Sequence, residues 1–192
     1  MPRNGKDRLR ATVRPVAVLP RLAKRYKASM PGEDEAFAAG RRIGQGDHSL
    51  QNLRPIVDWK SERSKGRVAK NDERDVADAL RLALEAKTDR AAVSVLLGLR
   101  GVQVPIASAI LTAICPERFT VIDFRALESL GLQQPVLTVE FYLDYLAACR
   151  RLAKQHDIGL RDLDRALWQW SKEKAKKGIG AIPSVPRTEG AR

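Results

Sequence analysis

The sequence predicts an all-α protein, and three observations carry that expectation. Apolar residues recur at helical spacing almost throughout residues 34–176, and glycines mark several of the stops between the stretches. The one strand-like run, FTVI at 119–122, is too short and too solitary to make a sheet. No internal repeat of solenoid period and no low-complexity block outside the ends competes with this reading.

The first two helices are expected at 34–44 and 48–59, separated by Gly44 and Gly46. A third covers 73–87, where Val76, Leu80, Ala83 and Leu84 fall at i, i+4, i+7 and i+8, with Asp72 and Asp75 available to cap or complement its start. Helices at 89–98 and 105–115 flank a tight turn. Pro105 suits the first turn of the second of these, because the N–H it lacks would have been unpaired there. A short helix at 124–130 begins behind Asp123 and stops at Gly131. The helix at 138–156 carries the amphipathic stripe Phe141, Tyr145 and Ala148, which reads as packing. Beyond Gly159, the helix at 160–176 places Trp168 in phase with Leu160, Leu163 and Leu167, in the core. Trp170 lies two residues on and cannot share that face.

At 192 residues and 44% hydrophobic content the chain is long enough for one sizeable core and short for two. The expected organisation is a basic arm at 1–30, a helical domain at 31–177 and a flexible tail at 178–192. Prolines 15 and 20 interrupt any helix in the arm, whose cations face the single acid Asp7. With 35 Lys+Arg against 23 Asp+Glu, the chain has the charge of a polyanion binder, and nucleic acid is the first partner to test. Cys115 and Cys149 lack metal-ligand spacing, and His48 and His156 stand apart from them, so buried free thiols in a reducing cytoplasm are expected, with no metal and no cofactor. No stretch has the length of a membrane span or a signal peptide's apolar core.

The turn itself reads LRGVQVPIASAIL. Gly101 can take a positive φ and admits another backbone at close range, while the free N–H groups at the following helix start point at whatever lies in front. A phosphate fits that position. The pattern Leu99, Gly101, Val102, Gln103 and Ala107, followed 22 residues after Gly101 by Asp123 in the apolar segment TVIDFR, resembles the helix-hairpin-helix DNA glycosylase superfamily. WKSER, GVQVPIASAIL and VIDFRALESLG are similar to a bacterial branch with glycosylase-like character. The likeness is strong over 97–131 and loose over 50–176. Three features depart from it: Gln103 replaces the second hairpin glycine, Pro105 stands where lyase-competent members carry a Schiff-base lysine, and the four-cysteine cluster of some relatives is missing.

The resemblance implies a helical glycosylase-like domain, a monomer, that bends duplex DNA, extrudes a damaged or modified base and hydrolyses its N-glycosidic bond, in repair or in defence against modified phage DNA. Asp123 would be the catalytic carboxylate, stabilising positive charge on the sugar and orienting water. Apolar Val121, Ile122 and Phe124 would keep water scarce around it. Aspartate directly before a helix is also a favoured N-cap, and the two roles are compatible. Arg100, Gly101, Val102, Gln103 and Val104 form the candidate phosphate turn.

A second cluster, DWKSERSKGRVAKN, follows Trp59. It reads either as a solvated basic loop with Trp59 plugged into the core, or as a wall of the base pocket in which Trp59 stacks while Lys60 and Arg63, with Lys65 and Arg67, grip DNA. Lys60 is the candidate for a displaced lyase amine. Trp170 is a second candidate for the base pocket, and Arg165 reads as a surface or salt-bridging residue. Arg125 either grips a phosphate or pairs with Asp123. The alternatives to hydrolysis are a DNA-binding protein that kept the fold without the chemistry, a bifunctional glycosylase/lyase using Lys60, and a binder of RNA or of a partner protein.

Overall fold

The computed structural model describes residues 19–26, 32–132 and 136–176, and all regular structure among them is helical. The helices are α1 (Leu19–Arg25), α2 (Glu33–Gly44), α3 (Leu50–Lys60), α4 (Lys65–Val68), α5 (Glu73–Glu85), α6 (Asp89–Leu96), α7 (Val104–Ile114), α8 (Phe124–Ser129), α9 (Val139–Gln155) and α10 (Leu160–Lys176). A 3-10 turn at Glu62–Ser64 joins α3 to α4. Residues 119–122 pair with no other strand, and no described helix is long and apolar enough to cross a membrane.

The core is built around α7, whose sequence VPIASAILTAI is apolar on every face and is buried at Val104 and from Ile106 to Ala113. α2, α3 and α6 pack against it. At the crossing with α2 there is no room for a side chain: a Cβ on Gly40 would sit 2.1 Å from the Ala113 carbonyl oxygen. Gly40→Val should therefore cost about 1–3 kcal/mol in denaturant unfolding, because α2 must lift off α7.

Local chemistry explains most helix starts. The Asp72 carboxylate accepts from the Arg74 N–H at 2.8 Å, and the Thr88 and Thr138 hydroxyls cap α6 and α9 by accepting from Ala91 and Phe141 at 3.1 Å each. Cys115 and Cys149 are free thiols; Cys149 is buried and Cys115 half-buried. The tail at 178–192 and residues 1–18 of the arm lie outside the described residues.

The far end of the arm departs from expectation. Pro20 does not prevent a helix at Leu19–Arg25, because it is the second residue of α1, where the missing N–H breaks no intrahelical bond. Leu19 and Leu22 are 2% exposed, and α1 packs along α10, with Arg25 gripping Glu173 through two bonds of 2.9 Å. Leu19–Tyr26 thus settle on the helical domain. The stretch after Trp59 is likewise ordered as the 3-10 turn and α4 and is no open loop.

Candidate active site

The extended segment 119–122 owes its shape to side chains reaching its backbone from other helices. The Tyr142 and Tyr145 hydroxyls of α9 donate to the carbonyls of Thr120 and Val121 at 3.1 and 2.9 Å. Ser108 of α7 accepts from the Ile122 N–H at 3.1 Å, and Lys60 at the end of α3 donates to the Ile122 carbonyl at 3.2 Å. Buried peptide groups outside a sheet need such partners. Three helices therefore fix the residue that comes next, Asp123.

Asp123 is the N-cap of α8: its Oδ1 accepts from the Ala126 N–H at 2.9 Å. Its Oδ2 stands 3.7 Å from the Lys60 ammonium, with 23% of the carboxylate side chain and 13% of the lysine exposed. The carboxylate is neither sealed in the core nor free in solvent. It lines a cavity of about 430 Å³.

The walls of that cavity are aromatic and cationic. Trp59, Phe124 and Trp168 contribute rings, as does Tyr26 from the end of α1. Lys60, Arg63, Arg125, Arg161 and Arg165 bring five cations against two carboxylates, Asp123 and Asp164. Arg125 does not pair with Asp123. Its guanidinium lies 4.9 Å from the Phe124 ring centre and 5.2 Å from that of Trp168, and it donates to the Ser171 hydroxyl at 3.3 Å.

Behind the cavity, Arg161 bridges two buried carboxylates, Asp164 on its own helix and Glu33 on α2. Glu33 is 3% exposed and also receives the Tyr26 hydroxyl at 2.6 Å and Arg165 at 3.3 Å. Burial pushes the Glu33 carboxyl upward, but the Tyr26 hydroxyl and the two arginines outweigh it and hold the group below its usual range. Asp164 goes the other way. Burial raises it to about 6 against the pull of Arg161 and Lys60, and the charges on Asp123 and Glu33 push in the same direction as burial.

The structure brings together Trp59, Lys60, Arg63, Asp123 and Arg125 among the residues singled out in the sequence. It separates others from them. Trp170 is not in the cavity wall; it packs part-buried against the core with Lys174 over its ring, and the tryptophan lining the cavity is Trp168, set edge-on to Tyr26 at 5.3 Å. The assignments of Trp168 to the core and Trp170 to the pocket are therefore exchanged. The reason is helical phase: Arg161, Asp164, Arg165 and Trp168 recur at i, i+3, i+4 and i+7, a stripe beside the apolar one of Leu160, Leu163 and Leu167. That spacing was the available signal for Arg161 and Asp164. Lys65 and Arg67 also stand outside the cavity, Lys65 turned to Asp58 at 3.4 Å.

The hairpin between α6 and α7 lies apart from the cavity wall and packs on α4. Gly101 has φ of +82°, and a Cβ there would meet the Arg67 Cβ at 2.7 Å and the Val68 nitrogen at 3.2 Å. Asn71 clamps the turn from α4's end, accepting from the Arg100 N–H at 2.7 Å and donating to the Arg100 carbonyl at 3.0 Å. Gln103, with φ of −109° and ψ of 171°, is extended backbone that needs no glycine. Its side chain and that of Arg100 are exposed, whereas Val102 and Val104 are buried and offer only backbone to a ligand. Gly101→Ala combines a left-handed backbone with a clash against Arg67, and should cost about 1–3 kcal/mol of stability in denaturant unfolding.

The sequence matches no protein-family model, and neither a curated protein nor a solved structure matches it.

Proposed function

We propose that this protein is a DNA glycosylase of the helix-hairpin-helix type, which takes a damaged or modified base from duplex DNA into the cavity and hydrolyses its N-glycosidic bond with Asp123. The observation that carries the reading is the placement of one part-exposed carboxylate, held by a cap and a lysine, in an aromatic and cationic cavity that has room for a nucleobase.

Each part has a chemical task. Breaking the bond builds positive charge at C1′, and a fixed carboxylate lowers that barrier because its orientation needs no rearrangement during the reaction. Water positioned by the same carboxylate completes hydrolysis. An extruded base loses its stacking neighbours, and Trp59 and Trp168 supply replacement faces. Arg63, Arg125 and the formal charge of +12 favour the phosphates on either side. The exposed hairpin, with Gly101 pressed on α4, offers backbone N–H groups ahead of α7 as a second phosphate contact.

The test is a panel of duplexes, each with one modified base, incubated with the protein and then heated in alkali to cut abasic sites. Strand cleavage dependent on protein and on one kind of base is the expected result. No cleavage across the panel, with duplex binding intact, favours a DNA-binding protein without chemistry. The pairing of Lys60 with Asp123 and Ile122 gives that lysine a positioning task, so borohydride should trap no covalent adduct with an active preparation. A trapped adduct lost in Lys60→Ala would assign the lyase reading instead.

A further inference from the structure

The cavity holds a second carboxyl group with no task in the reaction above. Asp164 lies on α10, its side chain 8% exposed, in the wall of the same cavity as Asp123. Its Oδ2 receives Arg161, and its Oδ1 has no hydrogen-bond partner among the described residues. A carboxylate retained only to neutralise Arg161 would do better with both oxygens engaged, and Arg161 already has Glu33 as a counter-ion. A carboxyl group in the cavity wall with one oxygen unengaged is the arrangement of a group that meets a ligand.

Resting on the glycosylase reading, we propose that Asp164 is the acid that protonates the departing base, and that the substrate is therefore a neutral base with a ring nitrogen or carbonyl oxygen that must gain a proton to leave. The C1′–N bond breaks with its electron pair passing to the base, and the Asp164 proton follows onto the base. Water adds to C1′ and gives up its proton to Asp123, which returns it to solvent. The products are a neutral free base and an abasic sugar, and Asp164 regains its proton from water.

The surroundings suit an acid. The groups facing Asp164 are Arg161 on its own helix, Glu33 on α2, Tyr26 at the end of α1, Lys60 on α3, Asp123 ahead of α8, and Tyr145 and Cys149 on α9. Burial and the two neighbouring acids outweigh the two cations, and the resulting value of about 6 leaves roughly a tenth of the group protonated at pH 7 and most of it protonated below pH 6. The division of labour follows from position: Asp123 stays at the end of a helix cap with Lys60 beside it and acts as an anion, while Asp164 is buried and acts as an acid. A base made cationic by alkylation of a ring nitrogen, as in 7-methylguanine, leaves without a proton and meets five cations in the wall, so it gains no proton transfer from Asp164.

Single-turnover cleavage of duplexes with deaminated, oxidised or N7-methylated bases, across pH, tests this. On a neutral base, Asp164→Asn should lose about 100-fold or more in rate, the range of general acid catalysis, and the loss should be at least about tenfold smaller on 7-methylguanine, which leaves without a proton. The wild-type rate on the neutral base should fall above about pH 6, where Asp164 loses its proton, and that limb should vanish in Asp164→Asn. The wild-type profile needs no variant to fold and is read by itself. An unchanged rate and profile in Asp164→Asn, or a wild-type profile without the alkaline limb, overturns the proposal while leaving the glycosylase reading in place. Absence of abasic product from every duplex overturns both.

Discussion

Asp123→Asn should lose about 100- to 1000-fold in the rate of base release, the loss expected when one fixed charge is removed from the transition state, while unfolding in denaturant changes little. The separation of the two effects follows from the geometry. The Oδ1 that accepts the Ala126 N–H is matched by the carbonyl oxygen of asparagine, an N-cap as good as aspartate, so α8 keeps its start. What disappears is the charge on Oδ2 that faces the cavity and Lys60. Anisotropy with duplex DNA and single-turnover cleavage on the same preparation distinguish lost chemistry from lost binding. Equal losses of stability and cleavage would mean that Asp123 is a cap and nothing more.

Arg161→Met should destabilise the protein by about 3–5 kcal/mol, the cost of leaving buried charge without its partner. Arg161 is the common counter-ion of Glu33 and Asp164, 3% and 5% exposed, and its guanidinium lies 4.8 Å from the Phe37 ring centre and 5.7 Å from that of Trp59. Methionine replaces the stem but not the charge. Glu33 keeps Tyr26 and Arg165, whereas Asp164 keeps no hydrogen-bond partner among the described residues. Replacing Arg161 and Asp164 together, Arg161→Met with Asp164→Leu, should recover part of the loss, since a buried pair is worse broken than absent. Denaturant midpoints of the three proteins measure it. A double variant no more stable than Arg161→Met alone would show that the pair contributes through shape and not charge.

The features legible in the sequence were those decided within a few residues. Val76, Leu80 and Ala83 announce the buried face of α5, Asp72 its cap, and Gly101 and Pro105 the hairpin, because periodicity, capping and positive φ are local properties. Asp123 was legible as a cap from the helix behind it. Helix α1 was not, since Pro20 breaks a helix or starts one depending on where the first turn falls, and only packing of Leu19 and Leu22 on α10 settles that. Trp168 and Trp170 exchange places because two residues turn a side chain by about 200° around the helix, and the phase of the cavity-facing stripe is set only once α10 is packed. Tyr26, Glu33, Asp164 and Trp168 meet only after α1, α2 and α10 are assembled. Their roles are properties of the fold and not of any segment.

The most direct measurement is a crystal structure of the protein with a duplex containing a tetrahydrofuran abasic analogue, which lacks the scissile bond and so cannot react. The account predicts that the analogue is swung out of the helix, its C1′ in contact with the Asp123 carboxylate and its flanking phosphates against Arg63 or Arg125 and the turn at Gly101. A duplex bound on another face, or one whose analogue stays within the helix with the cavity turned away from it, would contradict the account.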